Sequence, residues 1–167
     1  MTASRGRKSE PRLPEGKPPL DSINHQLLTL LSEDPRLSAA ELARRVGMSA
    51  PAVRDRVGNL ERAGVIRAYQ LVVDPAAIGL PIAAWIRVRP GPRQLPKVTE
   101  LAVRLSEVAE CHRISGEDCF LLRVHVRSLK ALEAVLDQFL LYGETTSSLV
   151  VSTPVPPRNP VPAGGRR

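Results

Sequence analysis

The stretch that decides the fold is SAAELARRVGMSAPAVRDRVGNLERAGVI, residues 38–66, which predicts two short helices joined by a tight turn. Ser38 can cap the first helix, and Glu41 three residues later completes a capping box. Gly47 ends this helix where the backbone needs a left-handed residue, and Ser49 caps the second helix. A helix pair of this kind can place its second helix in the major groove of duplex DNA.

The second helix carries an apolar face and a polar face. At about 100° per residue, Val53, Val57 and Leu60 share the face that should pack inward. Base contacts usually come from the N-terminal part of such a helix, where arginine can pair with guanine and a carboxylate with cytosine. Arg56 lies nearer the apolar stripe, so its guanidinium should reach a phosphate or an acid while its stem packs. The predicted DNA-contacting residues are Ser38, Ser49, Ala50, Pro51, Arg54, Asp55, Arg56, Asn59 and Arg62.

The composition is that of a globular protein large enough for one medium or two small domains. The chain has 167 residues, of which 43% are hydrophobic and 25% charged. No apolar run has the length of a membrane span, and the N-terminus lacks the apolar core of a signal peptide. The two cysteines are too few for a disulfide framework. These features predict a cytoplasmic protein, which DNA binding would associate with the nucleoid.

The distribution of charge says more than the net charge of +7. Residues 1–19 hold five basic and two acidic residues, and residues 154–167 hold three arginines and no acid, so the tails carry most of the excess. Within residues 36–67, however, seven arginines face three acids, where the helix pair requires positive charge. Aromatic residues make up only 3% of the chain, which argues against single-strand or RNA binding by base stacking.

The pattern along the chain predicts two domains between two disordered tails. Residues 1–19 form a disordered basic tail, and residues 154–167 a disordered Pro-rich tail. Residues 20–80 form a three-helix DNA-binding domain with its linker, in which Asp21 caps a first helix that ends at Asp34-Pro35. Val65–Val73 supplies strand material, and Gly79-Leu80-Pro81 is a hinge.

Residues 81–153 predict an α+β domain with the order β-α-β-β-α-β, the ferredoxin-like layout. The predicted strands are 83–88, 108–115, 120–126 and 146–152, and the predicted helices run from about 98 to 105 and from 129 to 140. Gly143 is expected to stop the second helix. The helices cover one face of the sheet, and the other face, with Trp85 and Phe120, should bury itself against another subunit.

Matching residues occur from about residue 20 to residue 153, and they resemble the Lrp/AsnC (feast/famine) transcriptional regulators of bacteria and archaea. In the first domain they are Leu20-Asp21, Asp34–Ser38, Glu41–Ala43, Gly47, Ser49, Val53, Arg56-Val57, Leu60-Glu61 and Gly64–Ile66. Beyond it they are Asp74-Pro75, Gly79-Leu80 and Gly116–Leu122. The helix-turn-helix part is specific at this density of matches, and the second domain agrees in order and spacing.

The resemblance implies that residues 20–80 are a winged helix-turn-helix domain with its linker. It implies a sequence-specific regulator whose C-terminal domains pair sheet to sheet in a homodimer, with tetramers or octamers built from dimers. It also implies a small effector, an amino acid or related metabolite, bound near the turn after the second strand. Carried onto this chain, the effector residues are Gly116, Glu117, Asp118 and Cys119, with Ser147 and Ser148 as weaker candidates. Two positions depart from the family. Cys119 stands where many members have Asp, and Asn24 stands where the family often has Asp.

Other functions remain open at this stage. The alternative to an effector site at Gly116–Cys119 is a simple hairpin turn in which glycine supplies a positive φ. The less favoured alternative to base contacts by Arg54 and Asp55 is a solvated face. Cys111 and His112 are neighbours on a predicted strand and so point to opposite faces, which argues against a shared zinc ion. Neither a nucleophile nor a phosphate-binding loop stands out, so we predict no enzyme activity and no cofactor. The alternative function is a metabolite-binding assembly protein with a vestigial DNA-binding domain.

Overall fold

The computed structural model describes residues 20–160. Within that range the chain forms two compact units, one of residues 20–71 together with 157–160 and the other of residues 72–156. The division falls between Leu71 and Val72, earlier than the hinge predicted at Gly79–Pro81. The predicted disorder of residues 1–19 and 161–167 lies outside the described residues, whereas residues 154–160 are exposed and contain neither helix nor strand.

The first unit contains three helices, α1 (Ser22–Glu33), α2 (Ala39–Val46) and α3 (Ala50–Arg62). Each begins at a predicted cap, and for α1 the Asp21 carboxylate accepts a hydrogen bond of 2.7 Å from the Asn24 amide. Their apolar faces meet in one small core, which confirms the predicted three-helix unit. The buried members of that core are Leu27, Leu31, Leu42, Ala43, Val46 and Val53.

The strand predicted at Val65–Val73 is wrong. Between α3 and residue 81 the described chain contains turns and irregular segments but no strand. Leu71 and Val72 are 83% and 88% exposed. A strand is defined by hydrogen bonds to a neighbouring strand, and residues 67–73 make no backbone hydrogen bond to another described segment. β-Propensity alone therefore did not produce a strand here.

The second unit is a four-stranded antiparallel sheet with two helices. Its elements are β1 (Ile82–Pro90), α4 (Leu95–Arg104), β2 (Val108–Arg113), β3 (Phe120–Val126), α5 (Leu129–Leu140) and β4 (Gly143–Leu149). The strand order is β2-β3-β1-β4, with every neighbouring pair antiparallel. This order confirms the predicted ferredoxin-like domain and its α+β class. None of the described helices is long and apolar enough to cross a membrane.

The two faces of the sheet differ, and the structure corrects one assignment. In β1 and β3, alternate residues are buried under the helices, and Phe120 is one of them at 1% exposure. Phe120 lies opposite Val88, which is fully buried, so the prediction that Phe120 belongs to the open face is wrong. Trp85 lies on the open face, opposite Arg123. A single strand pattern shows that residues alternate but not which set the helices cover.

Gly143 has a different role from the one predicted. The helix α5 ends at Leu140, and Gly143 is the first residue of β4, opposite Pro90. A Cβ atom built on Gly143 would overlap the carbonyl group of Arg89 on the neighbouring strand. The absence of a side chain therefore lets β4 approach β1 closely, and the helix ends without help from this glycine.

Candidate DNA-binding surface and effector turn

The turn between α2 and α3 has the predicted geometry. Gly47 adopts a left-handed conformation with φ of 68°, and the Met48 amide donates to the Ala43 carbonyl over 3.0 Å. The Ser38 amide donates to the Glu41 carboxylate over 2.8 Å, and the Glu41 amide donates to the Ser38 hydroxyl over 3.2 Å. The capping box is thus complete and fixes the start of α2, while the Gly47 turn leads into α3.

The outward face of α3 presents unengaged polar groups at its N-terminal half. Val53 and Leu60 are fully buried, whereas Pro51, Arg54 and Asp55 are exposed. Within the described part of the chain, the Arg54 and Asp55 side chains take part in no ion pair and no side-chain hydrogen bond. These two groups are therefore available to an external partner on the side away from the core.

The first turns of the two helices differ in charge. Glu41 lies in the first turn of α2, where the hydroxyl and the amide of Ser38 hold the pKa of its carboxyl below the usual range. The first turn of α3 contains no acid, and Ser49 caps it by accepting from the Ala52 amide over 3.4 Å. Since a helix N-terminus attracts anions, a phosphate is better accommodated at α3 than at α2. At α2, moreover, the Ser38 hydroxyl is already engaged, because it donates to the Glu41 carboxylate over 2.6 Å.

Asn59 and Arg62, both predicted to contact DNA, contact each other. The Arg62 guanidinium donates to the Asn59 side-chain oxygen over 2.6 Å. It folds over Gly58, where an added Cβ would lie 3.2 Å from Arg62 Nη1. The structure therefore brings these residues together at the C-terminal half of α3, on the exposed side of the helix.

Arg56 has an acidic partner that the sequence left unspecified. Its Nη1 donates to Asp21 Oδ2 over 2.7 Å and to the Asn24 side-chain oxygen over 3.1 Å. The sequence predicted either a phosphate or an acid as the partner of Arg56, and in the structure that partner is the acid Asp21. The Asn24 amide and the Arg56 guanidinium lower the pKa of the Asp21 carboxyl. Neither Asp21 nor Asn24 was predicted to bear on the DNA surface, because they lie more than thirty residues from Arg56 in sequence.

The turn proposed for the effector is a hairpin whose acids face arginines. Gly116 has a φ of 113°, and the Ile114 amide donates to the Cys119 carbonyl over 3.0 Å. Asp118 lies 3.9 Å from Arg87, and Glu117 lies 3.2 Å from Arg89. Arg89 also lies 3.9 Å from Glu144 of β4. The basic face of β1 is therefore balanced by carboxylates of the turn and of the edge strand.

The remaining effector candidates do not converge on one side of the sheet. Cys119 packs against the buried core of the second unit. Ser147 lies opposite Ile86 and so belongs to the helix side, whereas Ser148 lies opposite Trp85 on the open face. Only Ser148 therefore shares the open face with Trp85 and Arg87.

The cysteine and histidine pair on β2 shows the expected divergence. Cys111 lies opposite Leu122, which is buried under the helices, and His112 lies opposite Leu121 on the other face. His112 Nε2 instead lies 3.2 Å from Glu110 on its own strand. Among residues 20–160, no group of three or more His, Cys, Asp or Glu side chains could hold a metal ion.

A helix-turn-helix with an exposed, unpaired N-terminal half on its second helix, followed by a ferredoxin-like domain, defines a DNA-binding regulator with a separate second domain. Comparison with known families agrees: residues 20–67 match the winged helix-turn-helix DNA-binding family, and residues 83–160 match the Lrp/AsnC ligand binding domain. The chain belongs to the Lrp/AsnC family of transcriptional regulators.

Individual relatives cover most of the chain. The HTH-type transcriptional regulator LrpC of Bacillus subtilis is 31% identical over 133 residues, 80% of this chain and 92% of the relative. The feast or famine regulatory protein of M. tuberculosis, solved with L-methionine, gives a TM-score of 0.77 at 32% identity, over 86% of this chain and 99% of that one. A regulator of Neisseria meningitidis, solved with L-Met, gives a TM-score of 0.78 at 26% identity, over 86% and 96%.

Proposed function

We propose that this regulator recognises duplex DNA with the outward face of α3, and that the N-terminal half of that helix makes the base contacts. The observation that carries the proposal is the exposed, unengaged pair Arg54 and Asp55 on a helix whose opposite face is buried. Arg54 can donate two hydrogen bonds to guanine, and Asp55 can accept one from cytosine. These contacts supply specificity, because phosphate contacts carry no direct sequence information.

The other surface residues have supporting roles. Ser49, Ala50 and Pro51 lie at the start of α3, where the helix dipole favours a backbone phosphate. The amide and hydroxyl of Ser38 already donate to Glu41, so Ser38 supports the surface by capping α2. Asn59 and Arg62 together contact the DNA backbone farther along α3. The acid-free first turn of α3 supports the first of these roles.

The test is the substitution Arg54→Ala in the full chain, with binding measured on a site selected from genomic fragments and on random duplex. We expect a loss of about 1–3 kcal/mol on the selected site and relaxed preference at one base position. The matched control is Arg104→Ala, an exposed arginine at the end of α4. An equal loss on both duplexes would make Arg54 a phosphate contact. No binding by the unaltered chain to any fragment would favour the metabolite-binding assembly protein.

The DNA-binding form is a homodimer that pairs through the open sheet face, with tetramers or octamers formed from dimers. Half-buried Trp85 and the half-buried Leu121 lie on that face and support the proposal. Two α3 helices would then enter successive major grooves about one helical turn apart, or a multiple of it. Light scattering and footprinting test this: a monomer that protects a single half-site would contradict it.

A small effector, an amino acid or related metabolite, modulates this binding at the second domain, and the regulator acts on the nucleoid in the cytoplasm. Support comes from the match to a ligand binding domain and from the two relatives solved with L-methionine. The residues proposed to hold the effector are Gly116, Glu117 and Asp118 of the turn with Ser148 on the open face, whereas the predicted Cys119 and Ser147 lie on the helix side of the sheet. A calorimetric panel of amino acids tests this, and L-methionine is its first member. Binding that Asp118→Asn does not weaken would place the site elsewhere.

A further inference from the structure

Arg56 and Asp21 connect the second helix of the DNA-binding pair to the start of the chain's first helix. Within residues 20–71 theirs is the one ion pair between α1 and α3, and it joins residues 35 positions apart. Asp21 uses both carboxylate oxygens: Oδ1 accepts from the Asn24 amide and caps α1, and Oδ2 accepts from Arg56. One carboxylate therefore ties the N-terminus of α1 to the middle of α3.

The direction of Arg56 on α3 differs from that of the proposed base contacts. At about 100° per residue, Arg56 projects about 60° from Val53 and about 40° from Leu60, both fully buried. Asp55 projects about 160° from Val53 by the same rule. Arg56 thus lies on the flank that faces α1, whereas the groove must lie on the side of Asp55.

We propose that Arg56 is a positioning residue for DNA recognition, which fixes the rotation of α3 through Asp21 and Asn24 and does not itself bind phosphate. This inference rests on the proposed DNA surface of α3. Burial of Val53 and Leu60 stabilises the contact between helices but is non-directional. A charge-assisted hydrogen bond is directional, so the bonds from Arg56 set the rotation of α3 and with it the direction in which Arg54 and Asp55 point.

The surroundings of Arg56 also disfavour a phosphate. To bind one, the guanidinium would have to leave Asp21, with which its contact is 2.7 Å. The carboxylate left behind would then repel a phosphate approaching the same position. The Arg56 side chain is 31% exposed and that of Asp21 is 43% exposed, so the pair is accessible to substitution without opening the core.

The experiment compares Arg56→Gln, Asp21→Asn and the double variant in the full chain. Asparagine caps helices as well as aspartate does, so Asp21→Asn removes the charge while α1 keeps its cap. The matched controls are Arg104→Gln and Asp137→Asn, which change the net charge equally at exposed positions of α4 and α5. Fluorescence anisotropy measures binding to a selected genomic site and to random duplex between about 50 and 200 mM salt.

If Arg56 positions α3, both single variants weaken specific binding by roughly fivefold or more, and the double variant is no worse than either, because the two residues act as one unit. The salt dependence stays that of the unaltered chain. If Arg56 binds phosphate, Arg56→Gln lowers the salt slope by about 0.9, and Asp21→Asn tightens binding to both duplexes. The second pattern, or a single variant that leaves specific binding intact, overturns the inference.

A readout without DNA separates this inference from the proposed function. In the free protein, nuclear magnetic resonance should show the amides of Arg54 and Asp55 shifting in the same direction in both single variants. Unshifted amides would overturn the inference even if the unaltered chain binds DNA. If a single variant fails to fold, the double variant, which leaves no unpaired charge, provides the same comparison. If the unaltered chain binds no duplex, the proposed surface fails and the amide shifts still decide whether the pair orients α3.

Discussion

The two units of this protein are specified in different ways. In the helix-turn-helix unit, each helix begins at a capping residue, and α2 ends at a glycine with positive φ. The bounds of these helices therefore depend on neighbours in sequence. In the ferredoxin-like unit, the sheet depends on residues far apart, such as Gly143 against Arg89 and Phe120 opposite Val88. The comparison teaches that local chemistry decides where helices begin and end, whereas packing across strands decides which face is inside.

The largest effect should come from the core of the second unit. Phe139 is fully buried on α5, so Phe139→Ala should lower the free energy of unfolding by about 3–5 kcal/mol. Its neighbour Leu140 is 53% exposed and serves as the matched control. Urea unfolding at fixed protein concentration measures both. Similar losses for the two variants would show that long-range packing does not dominate this unit.

Gly143→Ala should have the next largest effect. The added Cβ meets backbone of the adjacent strand, so the strands must move apart, at a cost of about 1–3 kcal/mol in unfolding free energy. Gly91→Ala is the control, because its Cβ would make ordinary contact 3.6 Å from the Tyr142 carbonyl. Thermal unfolding compares them, and an unaffected melting temperature for Gly143→Ala would contradict the close approach of β4.

Gly47→Ala tests the local side of the comparison. No atom lies within 4 Å of a Cβ built there, so only the positive φ of 68° should cost free energy. The left-handed conformation costs a non-glycine residue about 1–2 kcal/mol. Gly47→Asn should cost less, since asparagine adopts this conformation more readily. Equal losses for alanine and asparagine would point to a steric cause instead.

The smallest effect should be a pH dependence from the capping box. Hydrogen bonds from Ser38 lower the pKa of Glu41 in the folded state. Its contribution to stability is therefore present above the usual pKa range of glutamate and is lost as pH falls through the lowered folded pKa. Glu41→Gln should flatten the acid side of a plot of melting temperature against pH. The control is Glu133→Gln, which changes an exposed glutamate of α5. If Glu41→Gln leaves the curve unchanged, the capping carboxylate does not contribute to the pH dependence of stability.

The sequence predicted the helices of the DNA-binding pair well, because Ser38, Gly47 and Ser49 each act within a few residues of their own position. It predicted β3 and α5 with their observed limits, since both have clear periodicity, β3 follows a turn, and Ser128 caps α5. It predicted a strand at Val65–Val73 that does not form, because a strand also needs a neighbouring strand to pair with. The outward position of Arg54 followed from helical periodicity, whereas the pairing of Arg56 with Asp21 required the contact between α1 and α3.

By itself, therefore, the sequence determined the family, the order of the helices and of the four sheet strands, and the exposed face of α3, because capping and periodicity act over one or two turns. Only the tertiary structure decided that Phe120 lies under the helices, that Gly143 admits β4 beside β1, and that Arg56 is held at the start of α1. These features depend on groups that are distant along the chain and meet only after folding. The physical reason is that side-chain periodicity fixes relative direction within an element, but not the neighbour toward which that direction points.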